Sequence, residues 1–407
     1  MLLSIAWRNV WRNKLRSLVV ILAVTIGLFG TLFMISITNG MVEQKIEASI
    51  HNEISHIQLH HPDFMQDQSL AFSIDSDDLK VDEIAAIPGV QAVCSRIKAM
   101  AMASTAATGT GVMINAIDPE KESRVTRIHE FIVDGDYFEG ESRSAPIVIS
   151  QKLSTKLKAK IGSKVVITIQ NVSGELSYGL FRVLGIYKTA NNMFDEPNVF
   201  VKKDDLLALT GYDPEKASEI AVLLDKVDDT DKVNENLKTM FPTLSVLPWK
   251  EIEPFLLTLI SMMDQMAYLL LIIILIAMAF GIINTMMMAV LERTRELGML
   301  MAVGMNRRKV FFMIMLETIF LALTGTFAGS FAGALTIQLT SRNGINFAAW
   351  AEGYEAYGYS ALVYPTLYTE FYFGMTILVI ITAIISSIYP ARKALRFNPA
   401  EAIREEA

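Results

Sequence analysis

Four of the five histidines, His51, His56, His60 and His61, lie close together in the sequence, and clustered imidazoles are a common start for a zinc or copper site. The run Ile54-Ser-His-Ile-Gln-Leu-His60 reads as an extended strand, which turns His56 and His61 to opposite faces, and no carboxylate-rich cluster elsewhere completes a shell. No metal is therefore expected. Cys94 is the only cysteine, which excludes an intrachain disulfide and any paired-thiolate zinc site. No Ser/His/Asp or Cys/His arrangement for nucleophilic catalysis is recognisable. No G-x-x-x-x-G-K-[S/T] run is present to cradle a nucleotide. The chain is expected to be non-catalytic and to bind no cofactor, so any nucleotide energy must come through a partner.

The remaining candidates are mechanical. Leu291-Glu-Arg-Thr-Arg-Glu-Leu-Gly-Met-Leu-Met-Ala-Val-Gly-Met-Asn-Arg-Arg-Lys309 places Leu297, Leu300, Met301 and Gly304 at roughly helical spacing, with charge at both ends. Such a helix can lie along a membrane and insert into a groove of a partner. A positively charged topology anchor accounts for the same residues. Glu317 follows within an apolar stretch, where a carboxylate costs roughly 2.5 to 3.5 kcal/mol on insertion scales and must face protein or water. It is expected to pair with a basic group near the cytoplasmic end of the bundle. Gly325, Gly329 and Gly333 share one helical face and permit close approach of another helix, in the same subunit or across a dimer seam. Met263, Met266 and Met278 belong to a methionine-rich stretch that could accommodate acyl chains, although ordinary helix packing explains them equally.

These residues are positioned by a chain of 407 residues that is 52% hydrophobic and 19% charged, too apolar for an ordinary soluble enzyme and too charged to be all membrane. Its net charge of −7 offers no basic surface for nucleic acid. Residues 17–40 form a first uncharged span, too long for a secretory h-region. Residues 263–291, 310–340 and 370–390 form three more spans. Residues 1–16 place Leu3, Trp7 and Trp11 on one face and Arg8, Arg12 and Arg16 on another, the pattern of an interfacial helix with tryptophans at headgroup depth and arginines towards phosphate. Lysine and arginine crowd the flank before span one, the 292–309 connection and the 391–407 tail, whereas the 341–369 loop holds only Arg342. Both termini are thus predicted to be cytoplasmic. Tyr354, Tyr357, Tyr359, Tyr364 and Tyr368 in that outer loop read as an interfacial belt.

The large segment 41–262 must then lie outside the cytoplasm, since long domains translocate largely regardless of charge. It reads as mixed α/β. Residues 54–60, 111–117, 164–170 and 181–187 look like strands, and residues 77–87, 150–160 and 203–209 look like helices. Pro88-Gly89, Asp118-Pro119 and Ser173-Gly174 look like turns. The predicted fold class is a four-helix transmembrane bundle with a large mixed α/β extracytoplasmic domain between helices one and two.

The run from Leu291 to Met305 resembles the coupling-helix signature of the FtsX-like, or MacB-type, ABC transporter permeases, and Tyr389-Pro-Ala-Arg-Lys-Ala-Leu-Arg-Phe-Asn-Pro-Ala-Glu-Ala-Ile-Arg404 resembles that superfamily's ending. The order of one span, a large domain and three spans matches as well. Within the superfamily, Ile54 to Pro62, Val133 to Phe138 and the Gly344 to Pro365 loop are similar to the lipoprotein-releasing (LolC/LolE-type) permeases. The resemblance implies a bacterial inner-membrane permease subunit that works by mechanotransmission. It implies coupling to a cytoplasmic ATPase through Glu292, Arg293, Thr294, Arg295, Glu296, Leu297, Gly298, Leu300 and Gly304. The implied partners are a separate ABC ATPase dimer using ATP and Mg, a second identical or related permease, membrane lipids, a lipoprotein substrate and a periplasmic carrier. MacB-type export of peptides, toxins or antibiotics, and FtsX-like signalling to a cell-wall hydrolase, remain open beside it.

Overall fold

The computed structural model describes residues 2–12, 14–139 and 144–395; the predicted tail basics Arg396 and Arg404 lie outside the described residues. Contacts divide the chain into two units, one of residues 1–42, 260–346 and 362–407, the other of residues 43–259 and 347–361.

The first unit is a helical bundle. Its short leading helix, Leu2–Arg12, is followed by four helices long and apolar enough to cross a membrane: Lys14–Ser49, Pro254–Glu292, Arg307–Asn343 and Thr369–Ala394. Three of these helices, 36 to 39 residues long, run well past the stretch of about 20 residues that a bilayer core requires. The hydropathic segments marked only their membrane-depth part. Val24, Leu28, Leu32, Ile282, Ile314 and Val379 are among the side chains that form the common core.

The glycine face of the third span packs on the first span of the same chain. A Cβ on Gly325 would stand 2.7 Å from Val24 Cβ, and one on Gly329 would stand 2.9 Å from the Thr25 carbonyl oxygen. Thr25 Oγ1 donates to the Gly325 carbonyl at 3.2 Å. Of the two uses open to these glycines, the face therefore serves packing within the subunit. Gly329→Leu meets the Thr25 backbone and the Leu28 Cβ, neither of which can swing aside, and it is expected to lower stability by about 1–3 kcal/mol, read as earlier thermal unfolding of the detergent-purified chain; Gly329→Ala should cost less. An unchanged melting curve for the leucine variant would show that the two helices do not meet there.

Met278 is 6% exposed and shares the bundle core with Ile282 and Met286, where it serves helix packing. Met266, at 59% exposure, is open at the bundle surface.

In the second unit, ten strands carry the architecture among the described residues: β1 (Ile57–His60), β2 (Val90–Ser104), β3 (Gly109–Ile117), β4 (Ile132–Gly135), β5 (Ala145–Ser150), β6 (Lys164–Gln170), β7 (Leu176–Tyr187), β8 (Asn198–Lys202), β9 (Glu219–Leu224) and β10 (Ser245–Pro248). Strand pairs β2–β3, β3–β8, β8–β5, β5–β7, β7–β6 and β6–β2 close a ring. The closed ring leaves no free edge among its six members. Its interior is filled by Ile97, Val112, Ile114, Ile147, Ile167 and Val199, among others. A second lobe has the order β10–β1–β9–β2 over a core that includes Leu59, Val222, Leu237 and Phe241. Long β2 belongs to both lobes: residues 90–96 pair with β9, and residues 97–104 pair with β3.

Several local expectations change. Residues 54–56 are not strand, because a π-helical turn at Ile50–Ile54 ends at Ser55 with φ +59°, and the strand begins only at Ile57. Asp118-Pro119 is a helix start, not a free turn. Asp118 accepts from the Glu120 and Lys121 N–H groups and Pro119 occupies the first position of helix Pro119–Val125. The expected helix at 77–87 shrinks to a 3-10 turn at Ser76–Asp78 and a short helix at Val81–Ala85. Residues 347–361 cluster with the α/β domain, and Tyr354 stacks on Phe347 at 5.6 Å. Tyr354, Tyr357 and Tyr359 thus belong to that unit.

Where β2 passes from one lobe to the other, a buried ionic network holds the joint. Arg96 on β2 binds Glu122 in a bidentate pair at 2.8 and 2.9 Å and Glu219 on β9 at 2.6 Å. Lys98 donates to the other oxygen of Glu219 at 2.7 Å, and Thr126 Oγ1 to Glu122 at 2.8 Å. Burial alone would raise the Glu219 carboxyl, but Lys98, Arg96 and His60 overcome it and hold it down to about 2.

Candidate functional site

The connection between the second and third spans folds as a separate helix because its sequence breaks at both ends. Helix Pro254–Glu292 stops at Arg293, and Thr294–Ala302 starts a new helix, with Thr294 Oγ1 turned back to the Leu291 carbonyl at 2.7 Å. Gly304 adopts φ +102°, a conformation that disfavours any side chain, while the Met305 N–H returns to the Leu300 carbonyl at 2.9 Å. Asn306 then caps the third span by accepting from the Arg308 N–H at 3.1 Å.

One face of this helix is seated in the bundle. Leu297 and Gly298 are buried, and Leu300 and Met301 pack against the common core. Arg295 is exposed, Met299 is half-exposed, and Val303 is 90% exposed. An apolar side chain so open to solvent is free to enter a partner's surface.

Three ion pairs fix the seated face. Arg293 Nη1 donates to Glu317 Oε1 at 2.8 Å, and its Nη2 donates to the Asn9 carbonyl at 3.3 Å. Both Arg293 and Glu317 side chains are largely buried. Arg12 pairs with Glu296 and Arg16 with Glu292. These two arginines therefore face the connecting helix, not lipid phosphate as an interfacial helix alone would suggest. Trp7 stands edge-on to Trp11 at 5.9 Å and to Phe320 at 5.5 Å, so the leading helix is anchored to the third span as well. A cavity of about 420 Å³ opens among Asn9, Arg12, Met286, Arg293, Leu300 and Glu317. The assembly can transmit force: a push on the connecting helix reaches the second span through its covalent end, the third through Glu317, and the first through Arg16.

Sequence reasoning missed Arg12 and Arg16 as members of this site. The available signal was a matched spacing, two arginines four residues apart and two glutamates, Glu292 and Glu296, four residues apart, which pair in antiparallel order. Thr294 and Glu292 serve the helix junction, and Gly304 its end; Met263 and Met266 lie apart, near the start of the second span.

The histidines are engaged within the α/β domain. His60 Nδ1 lies 3.1 Å from the Ser218 carbonyl and Nε2 2.9 Å from Gln58 Oε1, while His56 Nδ1 accepts the Leu224 N–H at 3.1 Å. Burial lowers His56 to about 4. Among the described residues no three His, Cys, Asp or Glu side chains converge as metal ligands.

The family model of the MacB-like periplasmic core domain matches residues 17–240, and that of the FtsX-like permease C-terminal region matches residues 268–399. The chain belongs to the MacB-type, FtsX-like permease superfamily. Among its relatives, an uncharacterized ABC transporter permease of Methanocaldococcus jannaschii is 28% identical over 56% of this chain and 55% of its own length. The macrolide export ATP-binding/permease protein MacB of Rhodopirellula baltica is 34% identical over 31% of this chain and 16% of its own. The chain thus spans about half the length of the first and a small part of the second. The lipoprotein-releasing system transmembrane protein LolC of Neisseria meningitidis is 22% identical over 78% of this chain and 79% of its own. Among solved structures, the extracellular domain of the ABC-type transporter YknZ from Gram-positive bacteria aligns at 18% identity with a TM-score of 0.33, covering 47% of this chain and 98% of that one. The periplasmic region of MacB from Actinobacillus actinomycetemcomitans aligns at 10% identity with a TM-score of 0.35, covering 52% and 97%. In this permease the connection between the second and third spans forms the helix Thr294–Ala302.

Proposed function

We propose that this permease is the membrane subunit of an ATP-driven machine that lifts lipoproteins out of the inner membrane and hands them to a periplasmic carrier. Both termini and the connecting helix face the cytoplasm in this reading. A separate ABC ATPase dimer, supplied with ATP and Mg, seats on Val303 and Met299, and a second identical or related permease completes the complex. The observation that carries it is the connecting helix itself, ion-paired to the leading helix and the third span on one side and open on the other. The lipoprotein assignment is supported by the match to LolC over 79% of that protein's length.

The size of the task constrains the path. Three acyl chains of about 15 carbons, at roughly 0.8 kcal/mol per methylene, would cost on the order of 35 kcal/mol to expose to water. The chains must therefore pass from bilayer to an apolar surface and then to the carrier, never bare. MacB-type export of peptides, toxins or antibiotics is favoured by the higher identity to that protein, 34%, but over 31% of the chain.

Reconstitution of the chain with its cognate ATPase and second permease is expected to give ATP-dependent release of a triacylated lipoprotein to a soluble carrier. Release that stops without nucleotide or carrier supports the reading. An intact complex with active ATPase and no release would overturn the lipoprotein assignment in favour of MacB-type export.

A further inference from the structure

A second cavity, of about 280 Å³, lies within the bundle among the first, second and fourth spans. The residues that face it come from the end of the first span (Ile35, Asn39), the start of the second (Asp264, Leu271) and the start of the fourth (Glu370, Met375). These three ends lie on the same side of a membrane, because the chain crosses once between the start and the end of each span.

Its floor is apolar, with Ile35 and Met375 buried. Its polar groups are unusual for their position. Asp264 is the one charged residue between Pro254 and Leu291, and both it and Glu370 are exposed where they line the cavity, open to a cation that arrives from outside. Glu370 sits in the first turn of its helix, where the helix dipole alone would tolerate it; no such benefit reaches Asp264, ten residues into its own helix. Neither acid makes an ion pair among the described residues. The Asn39 amide nitrogen is buried with no hydrogen-bond partner, a donor whose desolvation is uncompensated.

The cavity therefore asks for three things at once: a cation with donors for the two carboxylates, an oxygen acceptor for the Asn39 amide, and an apolar body at membrane depth. We propose that it binds an aminophospholipid of the phosphatidylethanolamine type, with the primary ammonium at Asp264 and Glu370, a phosphate or ester oxygen at Asn39, and the upper acyl chain along Ile35, Leu271 and Met375. A primary ammonium offers three N–H donors to the acids, whereas the quaternary ammonium of phosphatidylcholine offers none. Phosphatidylglycerol brings no cation and is repelled. The volume suits a headgroup and the first methylenes, and is too small for a folded cationic peptide.

The test uses the full-length chain, reconstituted from an equimolar mixture of phosphatidylethanolamine, phosphatidylcholine and phosphatidylglycerol, with retained lipid counted by native mass spectrometry. Phosphatidylethanolamine is expected to be retained roughly tenfold over phosphatidylcholine, the factor a charge-assisted hydrogen bond supports. Asp264→Asn with Glu370→Gln should bring the two to parity while thermal unfolding in detergent stays in place; Asp264→Asn alone provides the test should the double variant misfold. Equal retention of the two lipids by the native chain, or a preference unchanged in these variants, would overturn the proposal. Retention of soluble ethanolamine by the native chain, with no preference among the three lipids, would assign the acids to a water-soluble ammonium and overturn the lipid assignment.

Discussion

Arg96→Met should destabilise the α/β domain by about 3–5 kcal/mol, the cost of removing one partner from a buried charge group. The guanidinium bridges Glu122 and Glu219. Without it Glu122 keeps the Thr126 hydroxyl and the Cys94 thiol, and Glu219 keeps Lys98, so Glu122 is left as the less compensated carboxylate. Because β2 belongs to both lobes, the loss should appear as opening between them, read as faster limited proteolysis of the full-length chain and an earlier thermal transition. Replacing the fully buried members, Arg96→Met with Glu122→Gln and Glu219→Gln, should recover much of the loss, since the half-buried Lys98 is then the one member of the group that has lost its charge partner, and it keeps the amide oxygen at 219.

Acid supplies an independent check. Glu219 titrates at about 2 in the folded domain against an ordinary 4.5. A depressed carboxyl contributes stability that is present above pH 4.5 and is lost as pH falls towards 2. Arg96 is one of the groups that hold Glu219 down, so the variant has less of this stability to lose. The gap between native chain and Arg96→Met should be widest near neutral pH and close on acidification. A gap independent of pH would mean that Arg96 acts through packing of its stem alone.

How much of this was legible in the sequence follows from where each signal is stored. The spans were legible because an uncharged run of sufficient length has few other homes. Strand β6 was legible with its bounds, since Val165, Ile167 and Ile169 point inward and alternate with exposed or half-exposed positions. Strand β2 was not: its Lys-Ala-Met-Ala-Met-Ala-Ser run, residues 98–104, is made largely of helix formers, and it is extended because β3 and β6 pair with it. Tertiary pairing overrode local propensity there. In the connecting helix Gly304 was read as part of the helical face, whereas its φ of +102° lies beyond the helix end at Ala302; Glu317 announced the need for a basic partner. The identity of the partners was hidden by distance, since Arg12 and Glu296 stand 284 positions apart. The glycine face likewise announced close approach without saying to what, and the structure supplies the first span.

The Arg293–Glu317 pair is where coupling should be most sensitive. Arg12 and Glu296 are about half exposed, and an exposed pair contributes only about 0–1 kcal/mol, so Arg12→Ala should change little by itself. Arg293→Ala is different. It leaves Glu317 within the third span without its charge partner, at a cost of about 3 kcal/mol, and it frees the start of the connecting helix from both Glu317 and the Asn9 carbonyl. The expected result in the reconstituted complex is ATP hydrolysis that continues while release falls at least about tenfold, the loss that 1.4 kcal/mol of coupling already produces. Glu317→Gln separates charge from shape: its amide oxygen can still accept from Arg293, so the bundle should stay folded while coupling weakens. Unchanged coupling in Glu317→Gln would remove the pair from the transmission path. The exchanged pair, Arg293→Glu with Glu317→Arg, decides what the contact is for. If a static ion pair suffices, the exchange should recover both stability and release. If the fork of Arg293 must hold Glu317 and the leading helix together, stability should return without release, because a glutamate at 293 cannot donate to the Asn9 carbonyl.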